Sequence, residues 1–138
     1  MIIAGVVHDK NYFKDVIAPC IDGVAVTYVG PVGPPERDRL LGGAVALLHL
    51  IDFDEPFGLS VVESLAAGTP VIASPRGSLP ELIRPGETGY LVSGIDEAVE
   101  AVVSVRSLDR RACRADALER FSSERMVSDY ERLFERLV

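Results

Sequence analysis

Short apolar runs alternate with helix-spaced segments along almost the whole chain. Ile2–Val7 is continuously apolar and is bounded by His8-Asp9, the pattern of a strand covered on both faces. Asp9 is placed to cap a helix over about Lys10 to Ala18, which Pro19 helps to end. Val24–Val29 reads as a second strand, closed by Gly30-Pro31-Val32-Gly33-Pro34. Pro35-Glu36 opens a second helix, because proline suits a first turn and an acid favours its positive end. Gly42-Gly43 stops that helix, and Ala44–Leu50 forms a third strand.

A polar loop, Asp52–Pro56, then leads into a short helix over Gly58–Ala67, ended by Gly68-Thr69-Pro70. Strand Val71–Ser74 follows, then a turn at Pro75–Gly77 and a brief helix ending near Ile83. A turn at Pro85–Gly89 precedes the short strand Tyr90–Val92, and the rest is helical. Ile95, Ala98, Val99, Val102 and Val103 make one apolar stripe. Met126, Val127, Tyr130, Leu133, Phe134 and Leu137 make another at helical spacing. About five strands alternating with helices predict an α/β fold with a doubly wound parallel sheet. Its ligand crevice belongs at the carboxyl ends of the strands. With no repeat, low-complexity stretch or linker, residues 1–138 read as one domain.

Composition agrees with a packed core, since 48% of the 138 residues are hydrophobic. A chain of this size buries roughly two-thirds of the surface its unfolded form exposes. No apolar run reaches the ~20 residues of a membrane span. The apolar start has no basic flank and no cleavage-type ending, so it reads as a strand rather than a signal peptide. The expected location is therefore the cytoplasm. Cys20 and Cys113 lie far apart and fit no metal-ligand spacing, as for thiols of a reducing compartment. A net charge of −7 argues against a nucleic-acid partner, and the arginines are scattered rather than clustered.

The loop after the third strand carries the candidate chemistry. It holds Asp52, Asp54 and Glu55, then Phe57-Gly58-Leu59 where a helix begins. A helix start offers unpaired N–H groups and positive potential to a phosphate or sugar oxygen. Gly58 has no side chain, which leaves room for a ligand against the backbone. Glu55 stands at the mouth, and Glu63 lies eight residues on, one turn after Leu59. Two carboxylates so placed can accept hydrogen bonds from several hydroxyls of one ligand. The same residues also admit a plain reading, with Glu55 favouring a helix start and Glu63 on a solvated face.

Glu55-Pro-Phe-Gly-Leu-Ser-Val-Val-Glu63, followed by Ser64-Leu-Ala-Ala-Gly-Thr-Pro-Val-Ile-Ala73, resembles the glutamate-x7-glutamate signature of glycosyltransferase family 4 (glycosyl transferases group 1). The likeness continues through Arg76–Ile83 and Gly86–Val92, and upstream through Ile3-Ala4-Gly5 and Tyr28–Val32. The resemblance implies a retaining enzyme of GT-B architecture, built from two Rossmann-like domains. This chain would be the nucleotide-sugar-binding, C-terminal one of the two. Carried onto this sequence, the resemblance gives Glu55 the donor-sugar hydroxyls and the one catalytic role. Backbone groups of Phe57, Gly58 and Leu59 would hold the sugar and diphosphate. Glu63 would take the ribose hydroxyls, and Gly30, Pro31 and Val32 would lie near the base. The resemblance implies no metal and no cofactor, only the NDP-sugar as co-substrate.

The match breaks at the start. In the family the domain opens with one more strand, whose loop carries an Arg and a Lys that grip the diphosphate. Here the likeness begins at the family's second strand, so the domain is expected to be incomplete at its N-terminus and to lack its first strand. The acceptor-binding domain is absent from the chain and is implied as a partner in cis or in trans. Losing one electrostatic partner of a developing anion costs about 3–4 kcal/mol of barrier, so the chain alone is expected to have little turnover. Arg76, Lys10 and His8 are the remaining cationic candidates near a phosphate.

The implied activity is transfer of a hexose from an NDP-sugar to an acceptor. The alternative is a non-catalytic binding or assembly module that pairs with a separate acceptor-domain chain. The last amphipathic helix offers a surface for such pairing or for a homo-oligomer, besides packing on its own domain. A phosphoacceptor receiver with Asp52 or Asp54 as acceptor lacks the acidic pair after the first strand and a Lys after the last. A dinucleotide oxidoreductase lacks a G-x-G-x-x-G opening a helix after a strand.

Overall fold

A computed structural model describes residues 1–137, which fall into two compact units, one over residues 1–37 and one from residue 38 onward. In the first, β1 (Ile2–Ile3) pairs in parallel with β2 (Thr27–Tyr28), Ile2 opposite Thr27. Both strands are much shorter than the apolar runs suggest. The reason lies at Gly5, which has a φ of +146° and donates from its N–H to the Gly30 carbonyl. The Tyr28 hydroxyl closes the same corner on the Gly5 carbonyl at 2.8 Å. Ile2 and Val6 are 57% and 64% exposed, so the expected cover on both faces is not seen here.

Asp9 caps the first helix as its side chain permits: Oδ1 accepts from the N–H groups of Asn11 and Tyr12. That helix, α1 (Lys10–Tyr12), runs on as a π-helical turn over Phe13–Ile17 and a 3-10 turn over Ala18–Cys20. The expected helix is therefore present but irregular, with Pro19 in its closing turn. Asp22 then ties the loop before β2, accepting at 2.9, 2.8 and 2.9 Å from the amides of Val24, Ala25 and Val26. Helix α2 (Pro34–Gly43) starts one residue before Pro35 and ends at the Gly42-Gly43 pair.

The second unit contains β3 (Leu47–His49), β4 (Val71–Ala73) and β5 (Gly89–Leu91). They form a parallel sheet in the order β3-β4-β5. Its helices are α3 (Leu59–Ala66), α4 (Leu79–Leu82), α5 (Ile95–Ser104), α6 (Arg110–Phe121) and α7 (Ser123–Glu135). Side chains alternate across β4 and divide the core in two. Val71 and Ala73 join Val61 and Leu65 of α3 and Cys113 and Ala117 of α6. Ile72 joins Ala98 and Ala101 of α5 and the adjoining Val105. All three β4 residues are fully buried, as a central parallel strand requires. Each large apolar side chain so buried contributes about 1.5–3 kcal/mol. Helices thus cover both faces of this sheet, and within each unit the strands pair in parallel, as the alternation predicts, although as two small sheets, β1-β2 and β3-β4-β5, rather than one.

Polar contacts fasten α6 to the rest of its unit. The Arg110 guanidinium donates to the carbonyls of Ala44 and Gly42 and to Thr69 Oγ1 at 2.6, 2.8 and 2.7 Å. The Asp116 carboxylate, 5% exposed, lies between Arg84 Nη1 at 2.9 Å and Arg120 Nη1 at 2.8 Å. Arg120 also donates to the Leu82 carbonyl at 3.2 Å, linking α6 to α4.

The two helical stripes behave differently from a simple core-facing pattern. On α5 the buried positions are Ala98 and Ala101, while Ile95, Val99 and Val103 are 62–79% exposed. The bulkiest members of the stripe therefore point away from the sheet, and the small alanines allow α5 to sit close to Ile72. On α7 the members of the stripe are 47–60% exposed and no residue is buried; Leu137, just past the helix, is 74% exposed. Packing on its own domain does not cover that face among the described residues.

Candidate functional site

His49 of β3 is opposite Ala73 of β4, so the loops after both strands leave from the same sheet edge. That edge is where ligands bind in parallel α/β sheets. The first loop, 50–58, runs into α3 through Gly58, whose backbone is left-handed at φ +88°. The second, 74–78, holds the first in place. Ser78 donates from its N–H to the Glu55 carbonyl at 2.9 Å and from its hydroxyl to the Phe57 carbonyl at 2.8 Å. Between them Gly77 fits only because it lacks a side chain: a Cβ there would lie 2.3 Å from the Glu55 carbonyl oxygen.

Glu55 sits at the centre of this arrangement. Its Oε1 accepts from the Gly58 N–H at 3.0 Å, and its Oε2 lies 3.5 Å from His49 Nε2. Both side chains are 17% exposed. Beyond Gly58 the N–H groups of Leu59 and Ser60 open α3, ahead of its first intrahelical donors, the Val61 and Val62 N–H groups, which bond the Gly58 carbonyl. Glu63 lies one turn further, partly buried. Phe57 and Leu59 are 49% and 67% exposed and flank the helix start. Thus Glu55, Phe57, Gly58, Leu59 and Glu63 are brought together on one loop–helix junction.

The reason for glycine at 58 differs from the one expected. A Cβ there would meet Leu82 Cδ1 at 2.8 Å, so the missing side chain would point into the α4 packing. The positive φ favours glycine irrespective of any ligand, while the Leu82 side chain could shift to relieve the contact. Arg76 reaches the same edge, but its Nη2 is 2.7 Å from Asp52 Oδ1 in an exposed pair. Gly30, Pro31 and Val32 follow β2 in the first unit, where Gly30 has a φ of +76°. His8 borders a largely apolar concavity of that unit, lined also by Val7, Tyr12, Phe13 and Tyr28. Lys10 opens α1 in the same unit.

Gly77 and His49 are the residues around Glu55 that the sequence does not single out; His49 lies within the apolar run Ala44–Leu50. One imidazole in an apolar strand, at its carboxyl end and six residues before Glu55, is the signal that was available.

Residues 1–117 match the family model described as glycosyl transferases group 1. The chain belongs to that family. It is 36% identical over 97 residues to the N-acetyl-alpha-D-glucosaminyl L-malate synthase of Bacillus anthracis, a match covering 64% of this chain and 25% of the relative. Among solved structures it resembles AviGT4, a glycosyltransferase involved in avilamycin A biosynthesis. That match has a TM-score of 0.76 and 26% identity over 96% of this chain and 43% of the other. HepE of Anabaena, solved in complex with UDP-glucose, has the same fold, with a TM-score of 0.70 and 21% identity over 99% of this chain and 40% of that one. The family is one of glycosyltransferases, and the fold is that of a domain of such enzymes. The chain spans about a quarter of the Bacillus anthracis relative and less than half of the two solved neighbours.

Proposed function

We propose that this chain binds a nucleotide sugar for a retaining, metal-independent hexosyl transfer. The observation that carries the reading is the junction of the loop after β3 with α3. A carboxylate pinned at Oε1 to the Gly58 N–H stands beside a helix start, with a second carboxylate one turn beyond Leu59. In this reading Glu55 accepts hydrogen bonds from donor-sugar hydroxyls and is the catalytic carboxylate. The backbone at Phe57, Gly58 and Leu59 holds the sugar and diphosphate, where the α3 N-terminus opposes negative charge as the leaving group departs. Glu63 accepts from the ribose hydroxyls.

A net charge of −7 gives no long-range attraction for the anionic donor, so affinity rests on these short contacts. Transfer itself calls for an acceptor-binding part, in the same polypeptide or in a second one. Calorimetry with UDP-, GDP- and ADP-glucose, and with the free diphosphates, tests the reading. UDP-glucose comes first because a neighbour of the same fold holds it. Binding that disappears in Glu63→Ala is the expected result; no heat with any member of the panel would sink the reading.

A further inference from the structure

We propose that His49 is a positioning residue for Glu55, a role that rests on the donor-binding reading above. Among the described residues His49 Nε2 is a buried polar atom without a hydrogen-bond partner. Burial without a partner is costly for an imidazole nitrogen, and such atoms are uncommon in folded proteins. The group it faces is the Glu55 carboxylate, with Oε2 at 3.5 Å. A lone pair on Nε2 would oppose a carboxylate oxygen, so the proton belongs on Nε2.

The two residues differ in how firmly they are held. His49 closes β3, paired opposite Ala73, and its carbonyl accepts from the Ser74 N–H at 3.3 Å. Glu55 belongs to a loop, with one oxygen already on the Gly58 N–H. A sheet-mounted donor therefore faces the free oxygen of a loop-mounted carboxylate. A shift of roughly half an ångström brings the pair to ordinary hydrogen-bond length. With Gly58 on one oxygen and His49 on the other, the carboxylate plane is fixed and its remaining lone pairs face the sugar hydroxyls. His49 touches no part of the donor; it acts through Glu55.

Two measurements on the full chain test this. The first is the imidazole nitrogen NMR spectrum, which needs no ligand. The Nε2–H tautomer is expected, with its signals moved by Glu55→Ala; the Nδ1–H tautomer overturns the proposal. The second compares calorimetric affinities for UDP-glucose and UDP in wild type, His49→Phe, His49→Asn, Glu55→Ala and the His49→Phe/Glu55→Ala pair. His49→Phe should weaken UDP-glucose about tenfold and UDP less than about twofold, with His49→Asn recovering most of the loss. The double variant should be no weaker than Glu55→Ala alone. Equal losses for both ligands, no loss for either, or additive losses would each overturn the proposal. Wild type binding neither UDP nor any sugar of the panel removes the donor reading and this role with it, even where the tautomer is as expected.

Discussion

Gly77 lies so close against Glu55 that a side chain at 77 and the present course of the loop are incompatible. A Cβ would fall 2.3 Å from the Glu55 carbonyl oxygen and 2.5 Å from its nitrogen. Both partners are backbone, which cannot swing aside as a flexible side chain can. The φ of +56° adds a second objection to any other residue. Gly77→Ala should therefore destabilise the fold by at least about 2 kcal/mol. Urea unfolding reads this as a lower midpoint at unchanged slope. A change under about 0.5 kcal/mol, in the range of ordinary surface substitutions, would mean the loop moves freely.

The Asp116 carboxylate holds two guanidiniums, and its removal leaves both without their buried partner. Breaking such an arrangement costs about 3–5 kcal/mol when all members are buried. Arg84 is 51% exposed and Arg120 23%, so solvent makes up part of the loss. Asp116→Asn should cost about 2–3 kcal/mol in the same unfolding experiment. A loss no larger than that of an exposed pair would show that Asp116 is not holding α6 to α4.

The two thiols should react very differently. Cys113 is fully buried, and burial pushes its thiol above the ordinary value of 9.0, which lowers the thiolate fraction at any working pH. Cys20 is exposed. Treatment of the native protein with iodoacetamide near neutral pH should add one label, at Cys20, by mass spectrometry. Labelling of both at similar rates would contradict the packing of α6 against Val61 and Leu65.

Acid should loosen the loop before β2. Backbone amides of Val26, Val24 and Ala25 donate to Asp22 and hold its carboxyl below the usual 3.8. The folded form thus binds its proton less readily than the unfolded chain. Its contribution is complete above the ordinary carboxylate range and is lost as pH falls below 3.8 through the lowered value. NMR titration should place the Asp22 midpoint below that of a free aspartate. At neutral pH, Asp22→Ala should speed hydrogen exchange at the amides of residues 24–26.

Which elements exist was legible in the sequence because apolar period and punctuation agree. Asp9 at its cap, Pro35-Glu36 in the first turn of a helix that starts one residue earlier, and Gly68 after α3 all act where their chemistry predicts. Strand length was less legible. Ile2–Val7 is apolar throughout, yet only Ile2 and Ile3 pair, because Gly5 turns the chain onto Gly30. The stripes on α5 and α7 were legible as apolar faces, but their cover was not. Periodicity reports that a face is apolar, not whether anything covers it, and Val99 and Tyr130 are exposed. At the candidate site, the spacing of Glu55 and Glu63 marked the loop–helix junction, and the family resemblance alone gave them roles. Gly77 and His49 were not marked, because their importance lies in approaches to Glu55 across the fold rather than along the chain.

Gly89 has a further bearing on how relatives of this chain are compared. A Cβ there would lie 2.0 Å from the Val71 carbonyl oxygen, so β5 and β4 can meet only where residue 89 is glycine. Natural variation should leave that position untouched for reasons of sheet assembly alone. A search for ligand-contacting residues by evolutionary constancy would therefore rank Gly89 beside residues that touch a ligand. Constancy at 89 then reports a strand–strand distance, and only a column that varies with the sugar used can report on specificity.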